Sequence, residues 1–202
     1  FVRTLIPAAK AVPSDCRFMA WTPGFMPAEL ARLKECGLDF SVSSTCWWDF
    51  RSDWYADELA RLAAVAPPLA LSEAPFGSRI SDFHGSSAGL DQGYRRLIRF
   101  SATSEAGWLM PMGFEFAVGG RLDPVRAEAA TFERQSRTSN APLVTEIAQA
   151  NAELDKVASR RGKTWQPLSA PDAPVLGETL TPADGEAGTA LLRLVNADCA
   201  AA

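Results

Sequence analysis

The stretch from Leu38 to Leu71, LDFSVSSTCWWDFRSDWYADELARLAAVAPPLAL, decides the fold. Its first residues, Leu38 to Ser44, carry apolar side chains at every second position, the period of a strand. From Asp53 to Ala66 the period changes: Tyr55, Leu59, Leu62 and Ala66 fall at i, i+4, i+7 and i+11, one stripe of a helix. Pro67-Pro68 stops that helix, and Leu69-Ala-Leu71 reads as the next strand. A strand, a helix and a second strand in immediate succession make a βαβ unit, whose strands run parallel.

The alternation extends both ways. Upstream, Asp15 to Trp21 reads as a strand, followed by a helix that opens at Pro27, carries Leu30 and Leu33 on one face and stops at Gly37. Downstream, Gly85-Ser-Ser-Ala-Gly89 leads to Asp91 as an N-cap. The helix behind it is striped by Tyr94, Leu97, Ile98 and Ala102 and stops at Gly107. Trp108 to Met112 is a fourth apolar run, and Gly119 to Asn140 reads as a long polar connection. A last helix begins at Pro142, with Leu143, Ile147, Ala150, Leu154 and Val157 in register. Beyond Gly162 the texture shifts: Pro167, Pro171, Pro174 and Pro182 exclude a helix, and Ala190 to Val195 reads as a strand, which puts a domain boundary near 163–170.

Four strand–helix units predict an α/β fold with a parallel sheet, half of a (β/α)8 TIM-type barrel. A doubly wound sheet could also use four units and ranks second, because no Gly-rich phosphate loop follows any strand and Phe114 to Gly120 has the wrong spacing for a dinucleotide turn. The polar Asp39, Ser41 and Ser43 are unusual for this class, whose strands are buried on both faces.

Of the 202 residues, 47% are hydrophobic and 22% charged, a globular composition, and the net charge of −4 argues against nucleic acid or an anionic membrane as partner. No apolar run approaches membrane-spanning length and Phe1-Val2-Arg3 opens no signal peptide, so a cytoplasmic protein is expected. His84, the single histidine, lies in a polar loop and reads as a surface residue; it cannot build a two-histidine metal site. Cys16, Cys36, Cys46 and Cys199 lack C-x-x-C spacing and are expected to be reduced and mostly buried, so neither a metal nor a cofactor is expected. The run Arg95-Arg96…Arg99 reads as the solvated face of its helix. A chain that opens at Phe1 and closes on Cys199-Ala-Ala-Ala202 is either processed or a piece of something longer, and a count of four barrel units out of eight reads as the carboxyl-terminal part of a longer protein.

Parallel sheets bind ligands beyond the carboxyl ends of their strands. Here those ends are Trp21 to Phe25, Cys46 to Phe50, Ser72 to Arg79 and Gly113 to Phe116. They concentrate Trp21, Phe25, Trp47, Trp48, Phe50, Phe76, Phe114 and Phe116, with the carboxylates Asp49, Glu73 and Glu115. Aromatic faces stack on the C–H faces of sugars while carboxylates accept from their hydroxyls. Taken singly, each aromatic is more often packing, and Glu73 and Glu115 more often ion-paired than catalytic; the cluster carries the signal.

Three of these segments, Cys46-Trp-Trp-Asp-Phe50, Ser72-Glu73…Arg79 and Gly107-Trp-Leu-Met-Pro-Met-Gly-Phe-Glu115, resemble the α-amylase family of glycosidases, in particular its branch of α-glucan maltosyltransferases that use maltose 1-phosphate. Leu122-Asp123-Pro124 and the helix containing Asn151 are similar to that branch, and Leu191-Leu-Arg-Leu-Val-Asn196 resembles the first strand of the all-β domain behind the barrel. The resemblance implies barrel strands five to eight over 1–162, then a linker and the start of a carboxyl-terminal β domain over 163–202. It implies an α-glucan or maltooligosaccharide as ligand and an amino-terminal barrel half upstream of Phe1 as partner.

The same resemblance implies three carboxylates: a nucleophilic Asp after strand four, an acid/base Glu after strand five and an Asp after strand seven. Retaining chemistry needs the first two about 5–5.5 Å apart. The strand-four Asp falls upstream of Phe1. The acid/base position is occupied by Trp21, in Phe18-Met-Ala-Trp21, and Pro75-Phe76 replaces the His-Asp pair of strand seven. Glu73 and Arg79 match that motif at its flanks. A Trp transfers no proton to a glycosidic oxygen, and a Phe gives an oxocarbenium ion neither charge nor a hydrogen bond. The expectation is a glycoside hydrolase or maltosyl/glucan transferase with degenerate catalytic positions, or a non-catalytic glucan-binding or regulatory barrel protein. Trp21, Trp47, Trp48, Asp49, Phe76 and Arg79 are the substrate-binding candidates, and Glu73 and Glu115 the carboxylates left as catalytic substitutes.

Overall fold

The computed structural model describes residues 2–12, 15–83, 87–104, 106–121, 123, 125–126, 128–138, 143–158, 165–170, 172–180 and 190–197. His84, Gly85, Leu122, Pro124, Asn140, Pro142, Gly162, Pro171, Pro182 and Cys199, named above, lie outside the described residues.

The chain runs α1 (Val2–Lys10), β1 (Met19–Ala20), α2 (Pro27–Leu33), β2 (Phe40–Val42), α3 (Trp54–Ala63), β3 (Pro68–Leu71), α4 (Ile80–Phe83), α5 (Ser87–Ser104), β4 (Trp108–Leu109), α6 (Ala129–Thr138), α7 (Val144–Ala158), β5 (Gln166–Pro167), β6 (Val175–Leu180) and β7 (Leu191–Asn196). The first four strands form a parallel sheet in the sequential order β1-β2-β3-β4. The last three form an antiparallel sheet in the order β5-β6-β7. Among the described residues the protein is therefore mixed α/β, with one parallel and one antiparallel sheet.

Local chemistry sets the element ends. Pro27 occupies the first turn of α2, where a missing N–H costs nothing, and Glu29 reaches back to accept from the Met26 amide at 2.7 Å. Gly107 opens β4 without a side chain because a Cβ there would stand 3.2 Å from Leu69 Cδ2 of the neighbouring strand. At the start of β1, Asp39 accepts from the Phe18 amide at 2.8 Å and pairs with Lys10 of α1 at 2.9 Å, which together hold its carboxyl below the ordinary Asp value.

α5 is the organising helix. On one side Tyr94, Ile98 and Ala102 pack with Phe114 and with Leu143, Ile147 and Ala150 at α7. On the other, Leu97 and Phe100 join Phe50, Tyr55, Val195 and Ala197, so the antiparallel sheet docks on the same helix. Arg193 of β7 completes that docking. Its guanidinium lies 4.3 Å from the Phe100 ring centroid and 4.2 Å from that of Trp165, and it reaches Glu178 at 2.6 Å and Ser104 Oγ at 2.6 Å.

The polar face of β2 has an explanation in hydrogen bonding. Ser41, Val42 and Ser43 are all fully buried. Ser41 Oγ donates to the Ala66 carbonyl at 3.0 Å and Ser43 Oγ to the Leu69 carbonyl at 3.3 Å, while Ser43 and Thr45 share a 2.6 Å hydroxyl contact that continues to the Tyr55 hydroxyl at 2.8 Å. These serines bond the next strand edge and so are compatible with burial on both faces.

Several sequence expectations are corrected. Residues 119–140 are not an unbroken connection, since α6 forms within them. Its sequence is polar enough to lack an apolar stripe, although Phe132 meets Phe116 at 6.5 Å. α5 begins at Ser87, so Asp91 lies inside the helix and pairs with Arg95 at 2.8 Å instead of capping. The arginine run is more than a solvated face: Arg95 and Arg99 bind Glu146 of α7, and Arg96 covers the Phe50 ring at 4.6 Å and donates to the Asn196 carbonyl. Among the described cysteines, all free, Cys36 is buried but Cys16 is exposed. α1, which contains Pro7, and β6 had no counterpart in the sequence reading.

Replacing Ser43 by Val should lower stability by about 1–3 kcal/mol, because the Thr45–Tyr55 hydroxyl chain loses a buried partner. The check is the urea midpoint at unchanged slope; an unmoved midpoint contradicts this account of β2.

Candidate functional site

The carboxyl ends of β1 to β4 each hand over to a short loop. After β1, the Thr22 hydroxyl accepts from the Val42 amide at 3.0 Å and donates to the Val42 carbonyl, which prolongs the ladder by one residue. That clamp fixes Trp21, which is 38% exposed.

After β2, Glu58 of α3 accepts from the Ser44 amide at 2.9 Å and from its hydroxyl at 2.6 Å. A short 3-10 turn over Thr45–Trp47 then exposes Trp47, at 51%, and turns Trp48 inward. Trp48 stacks on Tyr55 at 4.6 Å, touches Phe50 and Phe100, and donates its indole N–H to the Ser52 carbonyl at 2.8 Å. Asp49 closes the turn by accepting from the Arg51 and Ser52 amides at 2.9 and 2.8 Å and from the Ser52 hydroxyl at 2.6 Å. The Ser52 hydroxyl, then the backbone amides, hold its carboxyl down at about 2. Phe50, at φ 61°, adopts the left-handed conformation a side chain disfavours, inside the aromatic cluster that locks it there. Cys46 beside them is half-buried, and the loss of solvent pushes its thiol far above the ordinary value.

After β3 the chain is drawn inward by an ion pair. Glu73 and Arg79 are 1% and 0% exposed at the side chain, with Nε 2.7 Å from Oε2. Glu73 Oε1 accepts from the Ile80 amide at 2.7 Å and the Tyr94 hydroxyl at 3.2 Å. Arg79 Nη2 donates to the Met112 carbonyl at 3.1 Å, whereas Nη1 is buried with no acceptor. Burial pushes the Glu73 carboxyl above the ordinary range, opposed by the Arg79 charge, the Ile80 amide and the Tyr94 hydroxyl. Outside this pair the loop lifts Phe76 to 58% exposure, where it meets Trp21 with ring centroids 6.1 Å apart and planes tilted by 58°.

After β4, Met110 and Met112 are exposed and Phe114 returns to the core. Gly113 (φ 89°) and Ala117 (φ 51°) bracket the turn that carries Glu115. A Cβ at Gly113 would stand 3.0 Å from Val118 and 3.1 Å from Phe132, so only glycine fits. Glu115 is half-buried, and its backbone carbonyl accepts from the Leu143 amide at 2.9 Å, tying the loop to α7. Nearby, the Trp108 indole donates to Asn151 at 2.9 Å.

The structure thus brings Trp21 and Phe76 together at the carboxyl end of the sheet and exposes Trp47 there. Trp48 lies in the aromatic cluster, Asp49 is engaged in its own turn, and Glu73 and Arg79 are engaged with each other. Sequence reasoning missed Thr22, Tyr94 and Asp82. Asp82 accepts from the Arg79 amide at 2.7 Å and the Gly120 amide at 3.1 Å; its position three residues beyond Arg79, in a capping arrangement, was the available signal. Among the described residues no three His, Cys, Asp or Glu gather to hold a metal, and no helix is long and apolar enough to cross a membrane.

No family model matches the chain. It is 31% identical over 173 residues to the alpha-1,4-glucan:maltose-1-phosphate maltosyltransferase of Burkholderia pseudomallei (strain K96243), an alignment that covers 84% of this chain and 15% of that protein. The chain therefore spans about 15% of the length of the curated relative it matches.

Asp49 yields a pH prediction. Its folded carboxyl titrates near 2, below the ordinary Asp value, so its contribution is present above the unfolded value and is lost as pH falls through about 2. Asp49→Asn should lower stability modestly at neutral pH, flatten the profile between roughly pH 4 and 2, and converge with the unmodified protein below that range. Acid denaturation followed by tryptophan fluorescence reads this, and identical acid limbs in both proteins contradict it.

Proposed function

We propose that this chain belongs to α-glucan metabolism and forms half of a maltosyltransferase-like (β/α)8 barrel, in which the cleft at the strand ends binds a maltooligosaccharide but transfers no glycosyl group by the family route. One observation carries the reading. Trp21 and Phe76, 55 positions apart, stand where the resemblance puts the acid/base Glu and the strand-seven Asp, and their rings meet at 6.1 Å. Residues aligned to two groups of one catalytic centre should lie in one place, and these do. The sequential order of the four parallel strands supports the barrel half, since a doubly wound sheet reverses its order at a switch point. The matched relative, by its name, acts on α-1,4-glucan and maltose 1-phosphate.

Chemically, the two substitutions exchange a proton donor and a negative charge for ring faces. A retaining centre needs a nucleophilic carboxylate and an acid within a short separation. Glu73 does not replace either, because its oxygens are committed to Arg79, Ile80 and Tyr94 and its side chain is sealed from solvent. Ring faces retain the capacity to stack on pyranose C–H surfaces; Trp21 and Phe76 offer theirs together, and Trp47 is exposed after β2. The remaining walls of the cleft belong to the amino-terminal barrel half, the partner this reading requires.

The test is calorimetric titration of the longest natural form of the protein with maltoheptaose, beside product analysis with maltose 1-phosphate and acceptor. Binding without new oligosaccharides is expected. Trp21→Ala and Phe76→Ala should each weaken binding about tenfold, the equivalent of ~1.4 kcal/mol of lost stacking. Turnover, or no binding by the unmodified protein, overturns the proposal.

A further inference from the structure

Glu73 and Arg79 flank Phe76 at three residues on either side, and they are among the most deeply buried side chains in the protein. An ion pair sealed from water is costly to assemble and rarely earns its place by stability alone. Its bonds here have a pattern: they end on the start of α4, on α5 and on the loop after β4. Glu73 Oε1 holds the Ile80 amide at 2.7 Å, which closes the segment 73–80 into a ring with Phe76 at its outer edge. The Tyr94 hydroxyl, from α5, donates to the same oxygen at 3.2 Å. Arg79 reaches across to the Met112 carbonyl of the loop after β4, and its backbone amide is held by Asp82, which also holds Gly120 beyond the Glu115 turn.

We propose that Glu73 and Arg79 are positioning residues: with Tyr94 and Asp82 they lock the loops after β3 and β4 to one another and to α5, and so present Phe76 to Trp21 as a preformed stacking surface for a neutral oligosaccharide. The proposal deepens the glucan-binding reading and rests on it for its ligand. Phe76 is well exposed, so the aromatic contact itself cannot hold the loop. The restraint comes from below, through a pair that no ligand touches. Preorganisation of this kind raises affinity by removing the ordering cost from the binding step.

The test separates position from ligand. First, amide hydrogen exchange of the longest natural form should show slow exchange at Ile80. In the paired variant Glu73→Met/Arg79→Met, which removes both charges and leaves neither buried alone, Ile80 should exchange at least 100-fold faster while the α5 amides stay protected. Second, Phe76→Ala should weaken maltoheptaose binding about tenfold in the unmodified protein and less than twofold in the paired variant, since a loop no longer held does not present the ring. A paired variant that folds, keeps Ile80 protected and retains the full Phe76→Ala effect overturns the proposal.

If the paired variant loses α5 protection, Tyr94→Phe takes its place. It deletes one hydroxyl donor and should speed Ile80 exchange several-fold and weaken binding two- to fivefold; no change in either overturns the proposal. If the unmodified protein does not bind maltoheptaose, the glucan reading fails by itself, and the exchange measurements still decide whether the pair holds the loop.

Discussion

The Glu73–Arg79 pair constrains this structure more than any other interaction. Two full charges removed from water must find each other and satisfy most of their remaining hydrogen-bonding groups to offset desolvation, and here Arg79 Nη1 alone of the guanidinium's outer nitrogens lacks an acceptor. Both side chains come from the same eight-residue segment, so the segment must curl to bring them together. Once curled, it needs donors and acceptors from its surroundings, and these come from α4, α5 and the loop after β4. The position of Tyr94 on α5 is thereby coupled to the loop, and α5 in turn carries both hydrophobic clusters. The cleft edge and the core are consequently parts of one arrangement.

Much of the parallel sheet was legible in the sequence because its helices carry apolar stripes. Leu59 and Leu62 on α3, and Tyr94, Ile98 and Ala102 on α5, are the residues that the spacing selects and that the core uses. The elements that escaped have physical reasons. α1 carries Val2, Leu5, Ile6 and Ala9 at helical spacing, but Pro7 inside it argues against a helix and only Ile6 is buried along its length. α6 buries little apolar surface and is written in polar residues. β1 and β4 contribute only two residues each to the sheet, too few to show a period.

The candidate site was legible in position and less so in role. Reading the residues that follow each strand found the aromatics, because parallel topology puts those residues at one end regardless of detail. It could not distinguish Trp47, which faces solvent, from Trp48, which stacks on Tyr55, although they are adjacent. A 3-10 turn separates their directions, and no composition rule encodes it. Glu73 posed the same difficulty. A carboxylate at a strand end reads as available until its arginine is found folded back on it.

Arg193 has a consequence for how the molecule comes apart. Its guanidinium is sandwiched between a ring of α5 and a ring that precedes β5, and is tied to Glu178 in β6. Opening β7 therefore disturbs α5, since it breaks the contact between Arg193 and Phe100. Two sheets of different topology would then melt as a single cooperative unit, with one unfolding transition where the architecture alone suggests two.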